Sequence, residues 1–305
     1  MKKPIRLGVV FPQTEIGNDP GAIKAFAQGC EALGFDHLLT YDHVVGASAA
    51  AYDKAQLKGP YREMHPFHEP FVLFGYLAGL TSRIEFGTSV MVAPQRQTAL
   101  LAKQAAEVDL LCGGRLRLGL GTGWNHVEYS ALGEDFSSRG ARLDEQVRLL
   151  RALWTDTIVD FKGRFDSVPA AGLNPLPVQR PIPIWFGGTH ERVLRRVAET
   201  GDGWMPLFKH LEPGMSRRLS SEEEPGVLID KMRRYALEAG RDPDAIGIDC
   251  RISAYGQTPD DWQRTAATFR TAGATHLSLV TMNAGFATVD DHLKGLEEMR
   301  AAVRE

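Results

Sequence analysis

Eight times along this chain a short apolar run with strand character recurs, and most of these runs are followed by a longer stretch of helical period. Strands are expected at residues 5–11, 35–40, 84–92, 115–120, 182–186, 203–207, 246–252 and 276–280. Helices are expected at 21–33, 69–80, 98–111, 139–154, 191–199, 227–239, 260–271 and 289–303. Parallel strands need crossovers long enough to hold a helix, so the alternation predicts an α/β protein whose helices cover a parallel sheet. No composition shift marks a linker, and eight such units close a ring. The expected fold is a single (β/α)8 TIM barrel over residues 1–305, with insertions at its C-terminal mouth near 44–68, 155–181 and 208–225. A doubly wound open sheet is the other arrangement the pattern permits. The stretch 157–180 reads as a small hairpin followed by prolines, and 46–67 has no clear period, which in a compact domain points to a loop over a site.

The composition narrows the partners. A chain of 305 residues with 43% hydrophobic and 24% charged residues can bury one large core. A formal net charge of −3 and the lack of a long basic run argue against nucleic acid or a membrane surface and for a small-molecule substrate. Residues 1–4 pass straight into the first strand without an apolar leader, and no apolar run reaches bilayer-spanning length. Cys30, Cys112 and Cys250 are odd in number, far apart and set in apolar surroundings, as expected of reduced thiols in a cytoplasmic protein.

In a barrel the carboxyl ends of all strands open on one mouth, where chemistry belongs. There the alternating run 116–120 leads into Gly121-Thr122-Gly123-Trp124-Asn125 and on to Tyr129. Glycines in such a loop let backbone N–H groups face an anion, with Thr122 and Tyr129 adding hydroxyls; a plain tight turn is the competing reading. The dinucleotide fingerprint is excluded, because Trp124 stands where its third glycine belongs and helical period resumes only near Gly140. Asp42-His43 ends the second strand, where a histidine exchanges protons near neutral pH and an aspartate orients it or contacts a ligand directly. Gly187-Gly188-Thr189 precedes a helix, a natural phosphate cradle or a turn with Thr189 as N-cap. Trp124, Trp185 and Trp204 serve either as walls for an aromatic ligand or as core. His65-Pro66-Phe67-His68-Glu69 lacks helical ligand spacing and reads as a pocket wall rather than a metal site. The pairs Arg195-Arg196 and Arg217-Arg218 read as solvated faces.

Several motifs, taken in order, carry a resemblance. Ala32-Leu33-Gly34-Phe35-Asp36-His37 runs to Asp42-His43, and Thr81-Ser82-Arg83-Ile84 to Gly87-Thr88. Gly113-Gly114-Arg115-Leu116 runs to Gly121-Thr122-Gly123-Trp124, and Pro181-Ile182-Pro183-Ile184-Trp185 to Gly188-Thr189, with Gly201-Asp202-Gly203-Trp204 beyond. Together these motifs resemble the bacterial luciferase-like superfamily, and within it the branch of deazaflavin-dependent oxidoreductases. The resemblance implies a (β/α)8 barrel that binds reduced FMN or the deazaflavin coenzyme F-420 with its ring in the mouth. It implies a bulge at the end of the third strand, at Ser89-Val90, often with a cis peptide, pressing on the ring. It places the cofactor phosphate at Thr122, Tyr129, Gly187, Gly188 and Thr189, counts Gly123 and Asn125 with the cofactor loop, and gives Asp42 and His43 the ring edge and the catalytic roles.

The two cofactors imply different chemistry, monooxygenation with reduced FMN and hydride transfer with the deazaflavin. Thr122-Gly123-Trp124 with Glu128-Tyr129 is similar to FMN-dependent pyrimidine-cleaving monooxygenases, while the whole-chain pattern fits the deazaflavin branch. Deazaflavin enzymes that oxidise a sugar phosphate or alcohol carry an acidic residue directly after the glycine loop, where this chain has Trp124 and Asn125. The resemblance also admits a homodimer, and a separate flavin reductase as partner if FMN is used. A non-catalytic flavin-binding protein, and a barrel lyase or hydrolase of a phosphorylated metabolite, are the alternatives of a different class.

Overall fold

The structure is a computed structural model that describes residues 4–53, 55–57, 59–208 and 224–304. Its strands are β1 (Arg6–Val10), β2 (His37–Thr40), β3 (Glu85–Thr88), β4 (Met91–Val92), β5 (Leu116–Gly121), β6 (Val159–Lys162), β7 (Ser167–Ala171), β8 (Ile184–Gly187), β9 (Gly203–Met205), β10 (Gly247–Ser253) and β11 (His276–Val280). Eight of them close a parallel ring in the order β1, β2, β3, β5, β8, β9, β10, β11 and back to β1. The β3–β5 and β1–β11 pairings exclude the open sheet. β4 is β3 resumed after a break at Ser89-Val90, and it pairs with the far end of β5, Met91 opposite Leu120 and Val92 opposite Gly121. The expected third strand, 84–92, is thus two pieces. β6 and β7 form the antiparallel hairpin expected within 157–180.

The outer layer holds α1 (Pro20–Ala32), α2 (Pro70–Ala78), α3 (Thr98–Leu111), α5 (Arg139–Thr155), α6 (Glu191–Thr200), α7 (Pro225–Glu238), α8 (Pro259–Ala272) and α9 (Val289–Arg304). Several begin where side chains capture free N–H groups: Asp19 accepts from Gly21 N, Glu69 from Val72 N, and Thr258 and Asp261 form a capping box. A short helix the sequence pattern had not indicated, α4 (His126–Ala131), starts directly after the glycine loop of β5. Its six residues span too few turns to show a period.

The barrel interior has one polar layer that its apolar strands did not announce. Arg117 donates to Asp249 at 3.0 Å, His37 Nε2 lies 3.2 Å from the same carboxylate and 2.8 Å from Ser278 Oγ, and Ser278 donates to Asp249 at 2.7 Å. The Arg117 guanidinium lies 4.3 Å from the Trp185 ring centre. Burial opposes ionisation of Asp249, but His37 and Arg117 more than offset it and hold the carboxyl well below its ordinary value. Burial, reinforced by Arg117, pulls His276 down to about 2 and lowers His37 as well.

Candidate active site

At the carboxyl end of the ring the break between β3 and β4 sets the floor. The Ser89–Val90 peptide is cis. Ser89 N donates to Thr40 O at 2.7 Å, its carbonyl accepts from Arg251 at 3.2 Å, and its hydroxyl lies against Arg251 and 3.3 Å from Met205 Sδ. The Val90 side chain turns inward between the ends of β5 and β8. A Cβ on Gly187 would stand 2.6 Å from Val90 Cγ1, and one on Gly121 would overlap the other methyl. Glycine at these two positions is therefore what lets Val90 occupy the mouth, and it brings the bulge and both glycine loops into one site.

His43 stands beside this floor. Its ring lies among Phe67, Tyr61 and Trp124, with centroids at 4.8, 5.2 and 5.5 Å. Nδ1 lies 3.3 Å from Glu128 Oε2. Glu128 is almost fully buried on α4 and also accepts from Val44 N, from Val45 N at 3.2 Å and from Gln95 Nε2 at 3.3 Å. Burial would raise its pKa, but His43 and these donors more than offset that and lower it, so the carboxylate is ionised and acts as acceptor. His43 therefore presents its Nδ1–H to Glu128 and leaves Nε2 for a ligand.

Asp42 faces another way. Its carboxylate takes a bidentate pair from Arg96, 2.8 Å on each oxygen, and the Val92 N–H at 2.9 Å. Asp42 thus fixes β4, and the adjacent His43 supplies the side chain that faces the site. Gln95 and Arg96 were not among the expected site residues, and Glu128 entered only as part of the Glu128-Tyr129 motif. For Glu128 a signal was present, since Asn125 followed three residues later by a glutamate is a helix-start pattern.

The loop after β5 folds on itself. Asn125 is the N-cap of α4, accepting from Val127 N and Glu128 N at 3.1 and 3.3 Å. Tyr129 is enclosed and its hydroxyl donates to Thr122 O at 2.7 Å. Both side chains shape the loop, and Thr122 itself lines an adjoining cleft of about 600 Å³. After β8, Gly188 takes φ +108°, receives Trp204 Nε1 on its carbonyl at 2.7 Å, and leads to α6. The N-cap of α6 is His190, one residue beyond Thr189. Gly187, Gly188 and Thr189 lead into the start of α6, where His190, Arg192 and Val193 line the same cation-rich cleft and the Arg192 and Val193 N–H groups are taken by His190 Nδ1 and O at 3.3 and 2.8 Å.

The loop expected over the site folds across His43. His43, Tyr61, His65, Phe67 and Asn125 line a smaller pocket of about 160 Å³. Of the 65–69 stretch, His65 and Phe67 are the residues that line this pocket. Arg196, one of the pairs read as solvated, lines the larger cleft and is paired with Asp144 at 2.6 Å. Residues 209–223, including Arg217-Arg218 and nearly all of the 208–225 insertion, lie outside the described residues. Cys30, Cys112 and Cys250 are free and buried, and among the described residues no helix is long and apolar enough to cross a membrane.

Fold and candidate site define a (β/α)8 barrel with two clefts at its C-terminal mouth. The chain belongs to the luciferase-like monooxygenase family, whose model matches residues 5–305. This family comprises flavin- or F420-dependent oxidoreductases and monooxygenases. The chain is 37% identical to an uncharacterised protein of Mycobacterium tuberculosis over 78% of each chain. It is 31% identical to an F420-dependent glucose-6-phosphate dehydrogenase of Gordonia bronchialis, over 83% of this chain and 70% of the relative. Among solved structures, an F420-dependent secondary alcohol dehydrogenase in complex with an F420-acetone adduct superposes with a TM-score of 0.74 at 19% identity, covering 99% of this chain and 100% of that one, a likeness of fold.

Proposed function

We propose that the chain is an oxidoreductase that uses a reduced flavin-type cofactor, FMN or the deazaflavin, on a small organic substrate. In this reading the ring rests on Val90, the phosphate lies toward Gly187, Gly188 and Thr189 at the start of α6, and the substrate sits between the ring and the aromatic wall of His43, Tyr61 and Phe67. When bound, the cofactor supplies the redox step, hydride transfer for the deazaflavin or oxygen activation for FMN. The residues of the chain do the rest. His43 accepts or gives the substrate proton at Nε2, and Glu128 holds its tautomer and stabilises the charged ring. Asp42, through Arg96 and Val92, positions β4, which begins directly after Val90.

The observation that carries the reading is the His43–Glu128 pair, a histidine with one nitrogen tied to a buried ionised carboxylate and the other unpaired among the described residues. His43 lines an aromatic pocket at the barrel mouth, whereas the unpartnered nitrogens of His37 and His292 are shut inside the protein. Anaerobic titration with reduced FMN and reduced deazaflavin, followed by absorbance and fluorescence, should give saturable binding of at least one. Binding of neither overturns the proposal. His43→Ala should then lower turnover about 10²–10⁴-fold while the cofactor Kd moves less than about threefold, and unchanged turnover removes His43 from the reaction.

A further inference from the structure

The cleft beside α6 is too large and too cationic for one phosphate. It measures about 600 Å³, and its wall includes Arg139, Arg164, Arg192 and Arg196. A phosphate group, with the bulk of about two or three waters at ~30 Å³ each, fills a small part of it. The one carboxylate in the wall is Asp135, which is engaged by the N–H and hydroxyl of Ser137 at 2.9 and 2.7 Å and by Ser138 N at 3.1 Å. Asp144 neutralises Arg196 from outside the wall. Arg139 lies over Phe136, its Cζ 3.8 Å from the ring centre, and donates from Nη1 to Phe136 O at 2.6 Å, with its Nε unpartnered. Neither Arg164 nor Arg192 has an ion-pair partner among the described residues.

The position of Arg164 is built. It sits at the tip of the β6–β7 hairpin, and the buried carboxylate of Glu145 on α5 accepts the backbone N–H groups of Arg164, Phe165 and Asp166 at 2.7, 2.8 and 2.8 Å. Gly163 is pressed against that same carboxylate, where a Cβ would overlap it. A buried charge and an inserted hairpin thus hold one exposed arginine on the wall of the cleft, to which α6 adds the exposed Arg192. Arg139, with its Nε unpartnered, can meet a single phosphate, which leaves Arg164 and Arg192 as further cations on the wall.

We infer that the cleft takes a cofactor whose phosphate is a diester carrying a further chain of carboxylates, the deazaflavin type with its anionic tail, and that Arg164 and Arg192 are the tail-binding residues. The inference rests on the proposed ring site and chooses between its two cofactors. The test compares FMN, the deazaflavin core ending in its phosphate, and the deazaflavin bearing two or more glutamates, on wild type and on the R164E/R192E double variant. Wild type should bind the tailed form about tenfold or more tighter than the phosphate-ended core, with the gap narrowing as salt rises. The double variant, with an unchanged melting temperature, should bring the two within about twofold, with most of the loss falling on the tailed form. Equal binding of tailed and truncated forms by wild type, or a preference that survives the double variant, overturns the tail assignment while the ring site stands. Binding of none of the three overturns both.

Discussion

Glu128→Gln isolates the carboxylate that the site is built on. The side chain keeps its shape, so packing is unchanged, but one of its two oxygens becomes an NH2. The carboxylate receives Val44 N and Val45 N on Oε1, and His43 Nδ1 and Gln95 Nε2 on Oε2. With Oε1 retained as carbonyl, the new amide faces two donors. His43 can move its proton to Nε2 and accept at Nδ1, and Gln95, whose Oε1 has no partner, can turn its amide and accept as well. What is lost is then the charge-assisted character of the buried bonds, so the folded state should lose about 1–3 kcal/mol. Urea unfolding of the cofactor-free protein measures this without knowledge of the substrate. In a His43→Ala background the same substitution should cost at least about 0.5 kcal/mol less, because the two share a contact. The second consequence is chemical. The swapped tautomer puts a proton on the nitrogen that faces the ligand, so turnover should fall about 100-fold or more while the cofactor Kd holds. A loss below about 0.5 kcal/mol, or additivity with His43→Ala, refutes the pairing.

Two further outcomes follow from the barrel. His276 titrates at about 2 in the folded chain, below its ordinary 6.5, so protons favour the unfolded state. Stability from this source is complete above pH 6.5 and drains as pH falls, by up to about 2 kcal/mol at pH 5 from His276 alone, with the lowered His37 acting in the same direction; unfolding free energies that are flat between pH 7 and 5 contradict it. Gly187→Ala places a Cβ 2.6 Å from Val90, so it should weaken cofactor binding at least about tenfold by pushing the bulge. Gly187→Ala with Val90→Ala should recover most of that affinity, and a lack of rescue separates the glycine from Val90.

Much of the fold was legible because it is local. The residues of α3 and β11 fall where period and flanking glycines put them, and the eightfold alternation implied the closed ring that the β3–β5 pairing completes. The site was legible only in part, for a physical reason. His43 and Glu128 meet across 85 positions of chain, and such a contact leaves no period in either segment. Asp42 and His43, adjacent in sequence at a strand end, point to different partners, as alternation along extended chain requires. The Arg117–Asp249 layer hides in the same way: single charges inside apolar strands look like outward-facing positions until the ring turns them inward.

The loop between β5 and α4 ties the two halves of the site together. Asn125 caps α4, α4 carries Glu128 to His43, and the next residue, Tyr129, reaches back to Thr122 on the wall of the cationic cleft. The proton-handling side and the anion side therefore hang on one cap. Asn125→Ala removes acceptors for two N–H groups and should cost about 1 kcal/mol of stability. Because both neighbours lean on that turn, it should also lower turnover and weaken cofactor binding together, each by about three- to tenfold. That signature differs from His43→Ala, which moves turnover alone, and from the arginine reversals, which act chiefly on the tailed cofactor. If Asn125→Ala changes only one of the two quantities, the turn is not a shared support and the halves of the site are set independently by the barrel.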